Sequence, residues 1–523
     1  MSSIDSTSHA TIAPSLSTWA LRGIALLFAL AMGLYGVVAL DTGYVNFKGS
    51  GNAEVVAQRL ELRQSADSGT PLPATATITE HSGMGLAALA AVTPPHYAYG
   101  SQGLSEPLVH YAEMPTSHGY MLALHNTMGG LLMLFGALQF WPALRRRYPR
   151  WHRAFGMVYV GAAVVGMLAA MTYLVLTPVA RIYDQFTFTI GLWLLAIGVL
   201  SSVGLSMHHL RRREIAQHQA YMAISYGFLL TAPLQRYGWM LLGVWQPELR
   251  QLEANYAVTA WLIPFSFLVG YGIFTSNRLL QARKPIAVMA RAPQAFPQAM
   301  ALGRWLAWLL LPALGAGFIA LLHHFLLAPG LSAYVGDSAT IPAGVLALDQ
   351  AVIGNHLPSR LLFVAAGGGS LLLGVWLVWG SFLRQQPVPV VLGWGLVAGS
   401  AAAGLVMGYW GLHMGMPSFA TLAGGATWLC GAAICLGLAA ALAWALQAGE
   451  AAWVREWSLF TVLTLLGVPA FYLNFPVLLL ITPPEYIESG HAFRLASYGQ
   501  WFLLLAAFVY SAYSPATQER FAR

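Results

Sequence analysis

Long apolar runs alternate with short polar stretches along the chain from Trp19 to Tyr513. A helix needs about 20 consecutive apolar residues to cross a bilayer, and about twelve runs meet this requirement. We therefore predict an all-α, polytopic membrane protein of about twelve transmembrane helices, arranged as two six-helix bundles. The predicted spans are Trp19–Leu40, His118–Leu144, Phe155–Leu176, Phe188–Met207, Met222–Trp245, Tyr256–Thr275, Trp305–Leu327, Leu361–Leu383, Val390–Trp410, Phe419–Trp444, Trp457–Ile481 and Leu495–Tyr513.

Composition supports this class. The chain has 523 residues, of which 57% are hydrophobic and 9% charged, whereas roughly one quarter of the residues in soluble domains are charged. Long runs also differ from the short alternating segments of a membrane β-barrel. The first run is longer than the apolar region of a signal peptide, and no A-x-A site follows it, so we expect an uncleaved span with a cleaved signal as the alternative.

The positions of the basic residues predict the orientation. Most of the 26 Lys and Arg residues fall on one side if the N-terminus is inside, among them Arg145–Arg147 and Arg211–Arg213. Because cytoplasmic loops are enriched in Lys and Arg, we expect a bacterial inner-membrane protein with both termini in the cytoplasm. The same bias accounts for the net charge of +7, so we expect the lipid bilayer, and no nucleic acid, as a partner.

The loops suggest three parts. We expect a first six-span half at residues 1–276, a basic cytoplasmic linker at 277–304, and a second half at 305–523. Asp41–Ser117 is a long far-side segment rich in small and polar residues, and it is too loose and too short to predict a folded domain. Ala328–Arg360 is the second far-side segment.

Spaced glycines predict close helix packing. Gly395 and Gly399, and then Gly404 and Gly408, place small residues on one face of the ninth span, and Gly156, Gly161 and Gly166 do so in the third. Small residues at such spacing let helix backbones approach closely in a membrane.

Histidines are the main candidates for chemistry. His118 and His125 share one face of the second span, and His125 lies almost two turns inside it. Ionisable groups at that depth usually face the protein interior or a cavity. A low-spin haem b needs a second axial ligand, which we expect from His323, His324, His413 or His491. The alternative is a buried His125 bonded to a neighbouring carbonyl.

A methionine-containing segment adds a candidate copper site. Gly411–Met416 brings His413, Met414 and Met416 together, and thioethers suit copper. The alternative, which we favour, is a tight turn with two methionines facing lipid.

Two further groups of residues lie elsewhere. His152 and His218 accompany arginines on the predicted cytoplasmic side, where a solvated rim that binds lipid headgroups is expected. The sharper hypotheses are a second haem site or a pocket for a phosphate-bearing or quinone substrate. Arg236 lies inside the fifth span, where it lines a substrate path with Asp349 as a candidate partner, or else snorkels to the interface.

Two clusters of residues around the first basic turn and the fifth span form a recognisable pattern. Its members are Leu124, His125, Gly136–Phe140, Pro142, Arg145, Arg146, Pro149, His152, Arg153, Gly156, Tyr159, His218, Met222, Ser225, Tyr226 and Arg236. With this pattern the stretch of about His118–Trp245 resembles a bacterial family of membrane proteins called domain of unknown function 2306. The resemblance implies a multi-pass membrane fold and does not specify an activity, and this chain departs from the family pattern at Gln219, Ala220 and Ile224.

These observations favour a membrane electron-transfer protein with haem b or copper at a histidine site and a quinone or another electron-transfer protein as partner. The alternatives are a transporter whose substrate path is lined by Arg236 and His125, and an accessory membrane protein without catalytic activity. Motifs of soluble enzymes, such as a Walker A loop or a G-x-S-x-G elbow, are absent from the sequence.

Overall fold

The computed structural model describes residues 16–72, 79–101, 103, 114–281, 297–335 and 340–517. In this part of the chain the structure is helical and contains no β-strand. Eleven of its helices are long and apolar enough to cross a membrane. The all-α polytopic fold is therefore confirmed. These eleven spans are α1 (Leu16–Gly49), α2 (Thr116–Gln139), α3 (Pro149–Leu176), α4 (Gln185–Arg211), α6 (Gln251–Gln281), α7 (Pro297–Leu322, continued by His323–Leu327), α8 (Leu357–Leu383), α9 (Val390–Met414), α10 (Ala426–Gln447), α11 (Ala451–Ile481) and α12 (His491–Tyr513). The place of the predicted fifth span is taken by two shorter helices, Ile215–Leu229 and Thr231–Trp245, which we together call α5.

The sequence predicts the fifth span as one helix, whereas the structure divides this stretch into two helices. Its first helix ends at Leu229 and the second begins at Thr231. Pro233 lies in the first turn of the second helix, where its missing N–H needs no partner but cannot continue the preceding ladder. The Thr231 hydroxyl donates to the Phe228 carbonyl at 2.7 Å, which satisfies one carbonyl at the break.

The segment between α1 and α2 is more ordered than expected. It contains the helices Ala53–Ser68, Thr79–Ala90 and Pro95–Tyr99. Tyr97 and Tyr99 are buried among them, and the Tyr97 hydroxyl donates to the Trp239 carbonyl at 2.8 Å. Aromatic burial therefore fixes a small helical cap onto α5, which composition did not predict.

The second far-side segment also folds against the bundle. It contains the helices Leu331–Val335 and Ala343–Asp349, and the latter continues as a π-helical turn over Gln350–Gly354. A further π-helical turn interrupts α8 at Val364–Gly368, and another forms the end of α8 at Val378–Leu383. Such turns are rare in proteins, and those that occur are often found at functional sites.

The two predicted halves share one core. A single cluster of buried apolar side chains extends from Met32 in α1 to Ala516 beyond α12. In the predicted linker, α6 continues to Gln281 and α7 begins at Pro297, and the intervening residues lie outside the described part. The division at 277–304 stays a prediction. We call the end of the bundle with Arg145–Arg147 and Arg211–Arg213 the Arg-rich end, and the other the opposite end.

Candidate binding cavity between the two halves

A cavity of about 170 Å³ lies between the halves. The first half contributes residues of α4 and α6, including Thr187 and Tyr256, and the second half contributes most of the remaining wall. The cavity reaches from the start of α12 at the opposite end to Thr464, about halfway along α11. It is smaller than the roughly 300–1,000 Å³ of sites for drug-sized ligands, so it suits a small solute.

A buried ion pair joins the halves beside this cavity. Arg494 of α12 donates from Nη1 to Oδ1 of Asp184 at 2.7 Å, and its Nη2 donates to Oδ2. Asp184 precedes α4 with a φ of 53°, a conformation that residues with a Cβ rarely adopt. The guanidinium also lies over the Tyr256 ring, 4.5 Å from its centroid. The pair therefore has fork geometry and is well shielded from solvent.

A chain of amides extends from this pair to Arg236. Asn255 donates to Oδ2 of Asp184 at 3.1 Å, and Gln235 donates to Asn255 at 2.9 Å. Arg236 donates to Gln235 at 2.8 Å and is itself exposed, with its guanidinium over the Trp239 ring. The suggested partner of Arg236, Asp349, makes a different contact, so this pairing is corrected: Arg236 is linked through amides to Asp184.

Asp349 lines the cavity from the helix Ala343–Asp349. Its Oδ2 accepts a hydrogen bond from the Leu331 amide at 2.7 Å, and the residue is 4% exposed. Burial raises the pKa of Asp349 to about 6, and the Leu331 amide opposes part of that rise because it favours the charged form. A carboxyl with such a pKa changes its charge near neutral pH.

The predicted haem ligands of the second span lie in ordinary packing environments. His125 is half-buried, and its Nδ1 lies 3.0 Å from the Gly166 carbonyl of α3. This is the contact expected for a histidine bonded to a neighbouring carbonyl. His118 lies near the start of α2, with Nδ1 3.4 Å from the Thr177 hydroxyl.

The four candidate haem ligands of the second half lie in surroundings that do not include His125 among the contacts described. His324 is fully buried and stacks on Tyr472, with ring centroids 3.6 Å apart, whereas His323 is exposed. His413 is exposed and bonds the Tyr409 carbonyl at 2.8 Å. His491 is buried, and its Nδ1 lies 2.7 Å from the Thr187 hydroxyl. The structure therefore does not bring any of them to His125.

The three candidate copper ligands, His413, Met414 and Met416, also lie in different surroundings. The helix α9 continues through Met414, so the turn begins at Gly415, which has a φ of 70°. Met414 is buried and lines the cavity, which corrects its expected lipid-facing position, while His413 and Met416 are exposed. In the described residues, no three His, Cys, Asp or Glu side chains form a group able to hold a metal ion. A haem b or copper site stays a prediction.

The structure brings the remaining candidate histidines together at the Arg-rich end. His152 and His218 are half-buried and interact electrostatically with each other and with Arg145. His218 Nδ1 lies 2.8 Å from the Ser206 hydroxyl. Burial lowers the pKa of Arg145, and the charge of Arg146 adds to this effect. This is a compact polar cluster rather than a fully solvated rim.

Several residues of the family-like pattern pack against one another in α2, α3 and α5. The Tyr159 and Ser225 hydroxyls lie 2.9 Å apart, and the rings of Phe140 and Tyr226 have centroids 5.3 Å apart. A Cβ at Gly136 would come within 3.0 Å of the Tyr159 ring, so the small residue is required there. The pattern therefore describes the helix contacts of the first half more than it describes a cavity.

Sequence reasoning missed the residues that form the cavity site. Arg494, Asp184 and Asn255 are not among the site residues that the sequence predicts. The available signal was weak, because a charged residue at a span end usually faces solvent. Three-dimensional proximity gives Arg494 and Asp184 their significance.

Comparison with known proteins agrees with the resemblance seen in the sequence. No curated protein and no solved structure matches the chain. One family model does match, over residues 122–270, a segment that runs from α2 well into α6. In that segment the chain matches the family described as predicted membrane protein (DUF2306).

Proposed function

We propose that this protein is a permease that moves a small solute through the cavity between its two halves. One observation carries the proposal: both halves line the cavity, and a buried ion pair between them, Arg494–Asp184, borders it. Many secondary transporters bind substrate at the interface of two helical units and open each side in turn. Placing a charged side chain inside a membrane protein costs free energy, and such residues commonly mark the paths of substrates or ions.

The proposal includes the cellular setting expected from the sequence. The protein would lie in the bacterial inner membrane with both termini in the cytoplasm, because the Arg-rich end carries the basic turns. The cavity would then begin near the far side of the membrane. His125 and Arg236, expected to line a path, lie outside the cavity wall, so the proposed path differs from the one expected from sequence.

Solute uptake into proteoliposomes tests transport. Gly431 lines the cavity, and Gly431→Leu would fill part of it. Gly437 is on the same helix, and a side chain there meets open space, so Gly437→Leu is the matched control. With a panel of labelled tetramethylammonium, a small neutral polyol and a small carboxylate, we expect at least one probe to be taken up. Gly431→Leu should lower that uptake about tenfold or more, and Gly437→Leu should leave it unchanged. Equal uptake by all three proteins, or uptake no faster than in protein-free vesicles, would contradict transport.

Electron transfer through haem b or copper, with a quinone as partner, is the second candidate. Its support is that the Nδ1 of His125 bonds the Gly166 carbonyl, which leaves Nε2 available, as is common for ligating histidines. A dithionite-reduced minus air-oxidised spectrum of the purified protein, with metal analysis, tests it. A sharp α band that is lost in His125→Ala would support haem, and a colourless, metal-free, folded protein would reject this candidate.

A further inference from the structure

The charges that line the cavity do not balance. Among the described lining residues, Arg494 is the basic one and Asp349 is the acidic one. The positive charge of Arg494 is balanced by the carboxylate of Asp184, to which Arg494 donates two hydrogen bonds. Asp349 has no cationic side chain within ion-pair distance in the described part of the chain. A solute in the cavity therefore meets one uncompensated carboxylate.

The backbone holds this carboxylate in place. Gly330 has a φ of 90°, which favours glycine, and it directs the next amide, that of Leu331, toward Asp349. The amide donates to Oδ2 at 2.7 Å. The other oxygen, Oδ1, receives no hydrogen bond from the described residues, so it is available to a ligand.

Aromatic rings form part of the remaining wall. The cavity is lined by Tyr256, Trp428, Phe471, Tyr472, Phe493 and Tyr498, beside aliphatic side chains and neutral polar ones such as Thr259, Thr464 and Gln500. Aromatic faces attract organic cations, and the attraction is larger where water is excluded. The volume of about 170 Å³ limits the ligand to a small molecule.

We infer that the solute is a small organic cation, such as a methylated or primary ammonium ion, and that it exchanges with a proton at Asp349. The inference rests on the proposed function. In the exchange, the carboxylic acid of Asp349 releases one proton to water, and the resulting carboxylate takes one monovalent cation. The site therefore holds either a proton or the cation, and its charge balances in both states.

This exchange predicts a pH dependence with a definite sign. The pKa of Asp349 is raised to about 6, so below that pH the acid is mainly neutral and cation affinity falls, by about tenfold for each further pH unit. Above it the carboxylate is ionised and affinity reaches a plateau. The other charged or titratable groups that line the cavity are Arg494, already paired with Asp184, and Tyr256, Tyr472, Tyr498, Cys430 and Cys435.

Calorimetric binding of tetramethylammonium to the full-length protein in nanodiscs tests the inference. We compare wild type with Asp349→Asn from pH 5 to pH 8. Asparagine keeps the size of the side chain and can still accept from the Leu331 amide, so folding should be preserved. Glu488→Gln, at an exposed acid of the same end, is the control.

We expect the affinity to fall about 30-fold or more in Asp349→Asn, the lower range for loss of one partner of a buried charge pair. The control should match wild type. The pH dependence should disappear in Asp349→Asn, and wild type should release a proton on binding near pH 6. Equal affinity in wild type and Asp349→Asn, or absence of tetramethylammonium binding at pH 8, would overturn the inference.

The experiments can contradict either proposal without contradicting the other. If a neutral or anionic probe is taken up, and Gly431→Leu blocks its uptake, while tetramethylammonium does not bind, transport stands and the cation inference is wrong. If tetramethylammonium binds through Asp349 but no probe crosses the membrane, the transport proposal is wrong and the cation site stands as a binding site alone.

Discussion

At the scale of single residues, the buried charges carry the most information. Arg278 and Glu456 are fully buried, and the guanidinium donates to the carboxylate at 2.8 and 3.0 Å. Glu456 also accepts from the Tyr271 and Ser514 hydroxyls, both at 2.5 Å. The Trp453 ring covers the guanidinium at 4.4 Å. Such a pair is tolerated in an apolar interior only because nearly every lone pair and donor is used.

We predict that Glu456→Gln destabilises the protein by about 3–5 kcal/mol, because Arg278 would keep its charge in a dry site without a counterion. Thermal unfolding in detergent measures the loss, with Glu485→Gln at an exposed position as control. The double variant Arg278→Met/Glu456→Leu should recover much of the stability, since an apolar pair of similar size removes both charges. An unchanged melting temperature in Glu456→Gln would contradict the argument.

At the scale of elements, glycines determine how closely the helices approach. A Cβ at Gly399 would lie 3.0 Å from the Ala366 carbonyl of α8, and one at Gly404 would lie 3.3 Å from the Ala432 carbonyl of α10. The two glycine pairs of α9 therefore serve two different neighbours. In α3, Gly166 packs against Met128, but a side chain at Gly161 would meet open space, so the predicted role of Gly161 in packing is wrong.

At the scale of the whole molecule, the halves are joined at both ends. Arg494–Asp184 joins them at the opposite end and Arg278–Glu456 at the Arg-rich end, with the cavity between these contacts. Thr187 of α4 and His491 of α12 make a further contact beside the first pair. Transport would require relative movement of the halves, because a solute must reach each side in turn.

A cross-link between the halves tests this requirement. In a Cys430→Ser/Cys435→Ser background, Thr187→Cys and His491→Cys introduce two thiols whose native side chains are 2.7 Å apart. Mild oxidation by oxygen with a copper–phenanthroline catalyst, which joins the two thiols as a disulfide and adds no bulk, should reduce uptake to the background of empty vesicles, and a reducing agent should restore it. Each single-cysteine protein cannot form this disulfide and should be unaffected by the oxidant. Full uptake by the cross-linked protein would argue against movement at this end.

The fold class, the approximate spans and the family-like segment could be predicted from the sequence, because they depend on local properties: apolar runs long enough for a bilayer, and patterns within consecutive helices. The sequence also placed His152 and His218 on one side, since both follow basic turns. Helix packing decided the rest. Arg494 and Asp184 are 310 positions apart, and Asp349 becomes a candidate only because Gly330 turns the chain toward it. Contacts between distant helices depend on their rotation and crossing, which hydropathy does not encode, so the cavity and its charge were visible only in the tertiary structure.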